Sequence, residues 1–358
     1  MNNAPHRVGG RCLGTSCVED RSKSESYNSG YHLNNIWCPQ NLFENIGETV
    51  SMGIKYTEIS SGLRFPEGPI AMSDGSVILV EIERKTLTRV GVDGSQEIIA
   101  QLEGGPNGAA LGPDGAVYIC NNGGFNWRYD GNKIFPGPQA EDYQGGRIER
   151  VELDTGDITT LYTECAGIGL RGPNDIVFDR TGGFWFTDLG KTRARERDFG
   201  GLYYATPDGN HIEEMIYPIP GGGNGIGLSP DEKTVYVAET PTGRLFGWNI
   251  ESPGKLVPGQ TAGYKNLVGI GSGYVSLDSL AVEKNGNICV ATIGPGGITV
   301  FPPDGTAAEH IEVGDDPLTT NICFGGPDLQ TAFITLSTTG RLIKCDWPRP
   351  GLELNFQQ

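Results

Sequence analysis

Glu67 and Asp278 are the acidic members of a set of six residues that recur at one place in six similar stretches of the chain. The stretches read PEGPIAMSDG from Pro66, PNGAALGPDG from Pro106, PNDIVFDRTGG from Pro173, GNGIGLSPDE from Gly223, LDSLAVEKNG from Leu277 and TNICFGGPD from Thr320. Their second residues are Glu67, Asn107, Asn174, Asn224, Asp278 and Asn321, and seven residues later stand Asp74, Asp114, Thr181, Asp231, Asn285 and Asp328. Asn and Asp are also common turn residues, because their side chains bond nearby backbone. Glu is not a favoured turn residue, and a channel-facing carboxylate at Glu67 needs a counter-charge. Asp278 lies between Leu277 and Ser279 with no Gly or Pro beside it. Brought together, two carboxylates and several amide oxygens suit a hard divalent cation. Such an ion polarises a carbonyl or lowers the pKa of bound water.

What is missing narrows the chemistry. The four histidines are His6 and His32, near the N-terminus, and His211 and His310, which follow Asp-Gly turns away from the repeated positions. A Ser–His–Asp triad and imidazole-bound catalytic zinc are therefore disfavoured. No G-x-S-x-G elbow is present. Cys12, Cys17 and Cys38 match no zinc spacing, and Cys120, Cys289, Cys323 and Cys345 fall inside apolar runs where a free thiol acts as a small hydrophobe. A net charge of −17 opposes nucleic acid and anionic membrane as partners. With no long apolar run and no leader-like segment, the expected location is cytoplasmic. The sequence leaves room for a homo-oligomer.

The elements that must position the set are short strands. After each repeated opening comes an apolar run: VILVEI, VYICNN, FWFTDLG, VYVAET, NICVAT and AFITLS. Most repeats add a third strand and another Asp-Gly turn, as in TLTRVGVDG and GLYYATPDG. Repeats of this kind, at intervals of 40 to 67 residues, predict an all-β fold, a six-bladed β-propeller. The last repeat lacks a fourth strand, and Ile54–Ser60 is expected to supply it, so that one blade is shared between the N- and C-terminal strands and no sheet edge remains. The expected division is an irregular N-terminal extension over 1–52 and a propeller over 53–358. In a propeller the first strand of each blade lines the channel, which makes the six residues a ring at one face. The second strands return Glu81, Asn121, Asp188, Glu239, Thr292 and Thr335 to that same face. The long segment 122–146, with Phe125, Trp127, Tyr129 and Phe135, is expected to form an aromatic lid.

The Pro-Glu-Gly opening at Glu67, the Asn174–Asp175 pair, the Asn-Gly at Asn224, Asp278 before its apolar strand and the T-N-I-C-F-G-G opening of the last repeat resemble the regucalcin/gluconolactonase (senescence marker protein) family, over about residues 60–347. The resemblance implies one divalent ion held by Glu67, Asn224 and Asp278 with Asn174 beside it. Calcium is the first expectation, with zinc, magnesium or manganese as alternatives. It implies a small-molecule lactone as partner and hydrolysis of that lactone. Asp278 is then the catalytic base and Glu67 its neighbour on the ion. The candidate substrate-binding residues are Asn107, Asn122, Arg171, Asn174, Asp188 and Glu239. Arg171 departs from the family's pattern, because Gly172 and Pro173 separate it from Asn174. Asp188 and Glu239 have a second reading as partners of loop arginines such as Arg193 or Arg195. Two alternatives stand beside lactone hydrolysis: a non-catalytic propeller that binds a partner, and a metal-independent enzyme of the strictosidine-synthase type.

Overall fold

The computed structural model describes residues 53–357, and the extension expected over residues 1–52 lies outside the described residues. Among the described residues the only helical piece is the single turn Tyr264–Asn266. Among the described residues no helix is long and apolar enough to cross a membrane.

Six antiparallel sheets make six blades. The first blade runs Pro66–Ala71, Val77–Glu81, Thr86–Val90, Gln96–Gln101, and the second Pro106–Leu111, Val117–Asn121, Arg147–Val151, Ile158–Tyr162. The third runs Pro173–Phe178, Phe184–Asp188, Gly200–Ala205, Ile212–Ile219. In the fourth, Gly223–Leu228, Thr234–Glu239 and Arg244–Ser252 are followed by two short strands, Lys255–Leu256 and Leu267–Ile270, that share the outer position. The fifth runs Ser276–Val282, Ile288–Ile293, Ile298–Phe301, Glu309–Ile311. The sixth takes Thr319–Gly325, Thr331–Leu336 and Arg341–Asp346 from the C-terminal end and closes with Tyr56–Ser60, antiparallel to Arg341–Asp346. The shared blade expected from the sequence is thus present.

Local chemistry explains the repeat. The residue seven beyond the ring position builds the turn between the first two strands: Asp74, Asp114, Asp231, Asn285 and Asp328 each accept a bond from the backbone N–H two residues on. In the third blade Asp179 does this for Thr181. The middle strands are wholly buried, as in Val77–Glu81 and Phe184–Asp188, while outer strands such as Gln96–Gln101 face water. Apolar side chains of neighbouring blades interlock between the sheets, for example Tyr118 and Phe178 with ring centres 5.0 Å apart.

The innermost strands touch their neighbours in a closed circuit around the channel. Each departs from regular pairing at its ring position, with breaks at Glu67/Ile70, Pro106/Ala109, Pro173/Ile176, Gly223/Ile226, Leu277/Leu280 and Thr319/Asn321. A bulge re-aims the side chain it carries. Close approach between blades demands small residues there. A Cβ on Gly108 would lie 2.4 Å from the Asn174 carbonyl oxygen, and one on Gly225 would lie 2.6 Å from that of Asp278.

The C-terminal segment has another role than ring closure. It crosses the face opposite the ring, where Leu352 N–H bonds the Val282 carbonyl (2.8 Å). Asn355 Nδ2 reaches the Phe178 carbonyl (3.1 Å), and Gln357 Nε2 the Ala71 carbonyl (3.0 Å). It floors a cavity of about 220 Å³ whose walls include Ile176, Leu228, Leu280 and Phe324 and whose upper end reaches Gly68, Asp175 and Asn321.

Candidate functional site

Glu67, Asn107, Asn174, Asn224, Asp278 and Asn321 are all buried at the heads of the six innermost strands. One oxygen of Glu67, Oε2, is engaged by Asn321 Nδ2 (2.9 Å) and by the Gly68 N–H (3.0 Å). Burial raises the Glu67 carboxyl above the usual range. Burial also raises Asp278, and the charges of Glu67 and Asp175 push it further, against a hydrogen bond from the Asn224 side chain. Asn224 Nδ2 also donates to Thr240 Oγ1 (2.9 Å), which turns its Oδ1 the other way. That Oδ1 and Asn174 Oδ1 are buried with no hydrogen-bond partner.

These features fit a cation. Buried amide oxygens without donors and buried carboxylates that repel each other are both relieved by a positive ion. Among the described residues no three His, Cys, Asp or Glu side chains gather as a metal-binding group. The oxygens available to an ion are instead mixed: the carboxylates of Glu67 and Asp278 and the unpartnered amide oxygens of Asn174 and Asn224.

The second strands meet the ring as expected. Pro66 pairs with Glu81, Pro106 with Asn121, Pro173 with Asp188, Gly223 with Glu239 and Leu277 with Thr292. Their polar ends, however, are engaged within their own blade, largely by backbone N–H groups of the segments leading into the ring. Asp188 accepts from the N–H groups of Arg171 (2.8 Å), Gly172 (2.8 Å) and Gly190 (2.7 Å). Glu239 accepts from Gly221 N–H (2.6 Å) and the Thr242 hydroxyl, and Asn121 Oδ1 accepts from Gly105 N–H (2.8 Å). Each holds down the segment that leads into a ring residue. Arg193, expected as a partner of Asp188 or Glu239, pairs with Asp198 instead (2.7 Å), while Glu239 has an arginine partner in Arg244 (3.6 Å). Arg171 is exposed at this face, its carbonyl accepting from the Tyr143 hydroxyl (2.6 Å). Asn107 lies in the ring, and Asn122 follows the second strand of the second blade.

The segment 122–146 contains a hairpin, Phe125–Asp130 paired with Lys133–Gln139. It reaches the sixth blade, where Ile134 N–H bonds the Thr338 carbonyl (2.9 Å), and the third, where Gln139 N–H bonds that of Thr192 (2.8 Å). Trp127 packs on Phe65, ring centres 5.2 Å apart, two residues before Glu67. Phe125, Trp127, Ile82, Ile134 and Leu318 complete that apolar cluster.

The sequence assigns no site role to two residues that the structure places here. Asp175 is buried, accepts from Ile176 N–H (2.9 Å), and is pushed up to about 7 by burial and then by the charge of Glu67. The signal was available: three other repeats carry Gly at this place, Gly68, Gly108 and Gly225. Lys191 is buried beside Asn122 and carried no signal, because a lysine in a polar loop reads as solvated.

The SMP-30/Gluconolactonase/LRE-like region matches residues 65–338. The chain belongs to that family. Among curated relatives of this family member, a gluconolactonase of Zymomonas mobilis is 26% identical over 303 residues, 78% of each chain. A lactonase drp35 of Staphylococcus epidermidis is 30% identical over 233 residues, 64% of this chain, and the match spans 63% of that relative's length. Among solved structures, the calcium-binding protein regucalcin of Agrobacterium tumefaciens superposes with a TM-score of 0.67 at 18% identity, covering 86% of this chain and 98% of its own. At that identity the likeness speaks for the fold.

Proposed function

We propose that this protein is a metal-dependent hydrolase that opens a lactone. The observation that carries the reading is the pair of unpartnered buried amide oxygens, Asn174 Oδ1 and Asn224 Oδ1, at the channel end that also holds Glu67 and Asp278. The gluconolactonase and lactonase relatives supply the substrate class, and the oxygen-only donors and the calcium-binding structural neighbour favour calcium over zinc. Glu67, Asn174, Asn224 and Asp278 would hold the ion. When bound, it supplies Lewis-acid stabilisation of the oxyanion that forms on the lactone carbonyl.

The chain's own residues do the rest. Asn321 and the Gly68 N–H fix the Glu67 carboxylate in one orientation. Asp278 takes a proton from the attacking water as its oxygen bonds to the acyl carbon, and returns it to the ring oxygen as the acyl C–O bond breaks. One water and one lactone give one hydroxy acid. Asn107, Asn122 and Asn174 orient the substrate's oxygens, and Arg171 stands at the mouth. Asp188, with its oxygens engaged by backbone N–H groups, and Glu239, engaged by Gly221 N–H, the Thr242 hydroxyl and Arg244, act here as anchors of the mouth segments rather than as substrate contacts. The buried thiols Cys120, Cys165, Cys289, Cys323 and Cys345 suit a reducing cytoplasm.

The test is acid release from a panel of five- and six-membered lactones, with and without chelator. Chelator-sensitive opening of at least one sugar-acid lactone is expected. A protein that holds the ion and opens none would leave a binding module.

A further inference from the structure

Lys191 is only 2% exposed, in the loop that follows the second strand of the third blade. Its Nζ donates to the Gly124 carbonyl (2.7 Å) and to Asn122 Oδ1 (3.3 Å). It also sits 4.2 Å from the ring centre of Phe125 and 5.5 Å from that of Tyr143. An ammonium has three donors, so one remains. Burial lowers its pKa to about 7, and Asp188 and Asp198 act on it only through space. Asp188 is occupied by three backbone N–H groups, and Asp198 by the Arg193 guanidinium. This is a buried cation without a carboxylate of its own.

Asn122 supplies an independent observation. It is 2% exposed, and its Oδ1 is taken by Gly124 N–H (2.8 Å) and by Lys191. Those two bonds fix the amide so that Nδ2 is the free end, and Nδ2 is buried with no partner. A donor without an acceptor thus lies beside a cation without an anion, under the hairpin and between the blades that carry Asn107 and Asn174.

We propose that Lys191 and Asn122 form a subsite for a carboxylate carried by the substrate, so that the preferred lactones are those bearing an acid group besides the ester that is opened. This rests on the lactonase reading above. The chain's net charge of −17 repels anions at long range, so a local cation screened by aromatic rings is what acceptance of an acidic lactone requires. Lys191 is a specificity residue in this account, and Asn122 its partner in recognition.

The test compares gluconolactone with the glucaric monolactone, in which a carboxylate replaces the terminal hydroxymethyl group. Four proteins are assayed: the unmodified chain, Lys191→Met, Lys191→Arg and Asn122→Asp. The unmodified chain is expected to favour the acid-bearing lactone. Lys191→Met, which keeps the apolar stem between the rings, should lose about ten- to a hundredfold in kcat/KM on that lactone and less than about threefold on the neutral one, the scale of a charge-assisted hydrogen bond. Lys191→Arg should retain the preference, and Asn122→Asp should reverse it. Equal losses on both lactones, or no loss on the acidic one, would overturn the proposal and leave Lys191 as a pin for the hairpin. If no lactone is opened, the lactonase reading fails separately. The subsite is then judged by calorimetric binding of glucarate against gluconate, where Lys191→Met must abolish a preference for glucarate and a protein with no such preference overturns the proposal.

Discussion

Asp188 and Asp278 are both buried acids at the same face, yet their surroundings differ in kind. Asp188 faces three backbone donors, so its charge is satisfied by the protein itself. The carboxyl of Asp278 is raised above its ordinary range by burial and by the charges of Glu67 and Asp175, which a bound cation would relieve. Substitution should separate them. Asp188→Asn is expected to cost about 2 kcal/mol of stability, because an amide cannot accept from all three N–H groups, while the affinity for calcium stays within a few fold. Asp278→Ala is expected to leave the thermal midpoint of the metal-free protein within a few degrees and to abolish calcium binding. Thermal unfolding and calcium titration of the two variants check this. The ring was legible in the sequence because its spacing to the turn residue repeats, and the turn chemistry gives that spacing a cause. The anchoring role of Asp188 was not legible, since its partners Arg171 and Gly172 come from the strand entrance rather than from its own strand. Asp175 is legible only by comparing the repeats, where Gly68, Gly108 and Gly225 hold its place, because a bulge decides which residue of the Asn-Asp pair faces the channel.

At the scale of elements, the blades follow from alternating burial and Asp-Gly turns, both local. The hairpin Phe125–Asp130 with Lys133–Gln139 follows from neither. Its pairing is readable, but its docking on Phe65, Thr338 and Thr192 joins distant parts of the chain. Trp127 anchors it on Phe65, two residues before Glu67. Trp127→Ala should therefore raise KM for every accepted lactone about tenfold and alter kcat little, since the hairpin retains its backbone bonds to the third and sixth blades. Steady-state kinetics on two lactones decide this. A change confined to kcat would place Trp127 in the chemical step, and unchanged kinetics would make the hairpin ornamental.

Among the described residues the ring of blades is closed by one non-local pairing, that of Tyr56–Ser60 with Arg341–Asp346. A chain beginning at Met52 should keep its fold, whereas one beginning at Gly62 should expose the edge of the sixth blade and aggregate. Soluble yield and Tm of the two, side by side, test it. Equal values would mean that closure contributes little. The C-terminal segment crosses the other face and lines the cavity there. That arrangement, a closed disc with oxygen donors at one mouth, is the basis for reading the protein as a metal-dependent lactonase. The most direct test is to strip the protein with chelator and titrate calcium back, following bound ion and lactone opening in the same samples. Activity is predicted to be lost on stripping, to rise in proportion to occupancy and to saturate at about one ion per chain. Full activity in the stripped protein, or activity that ignores occupancy, would contradict the account.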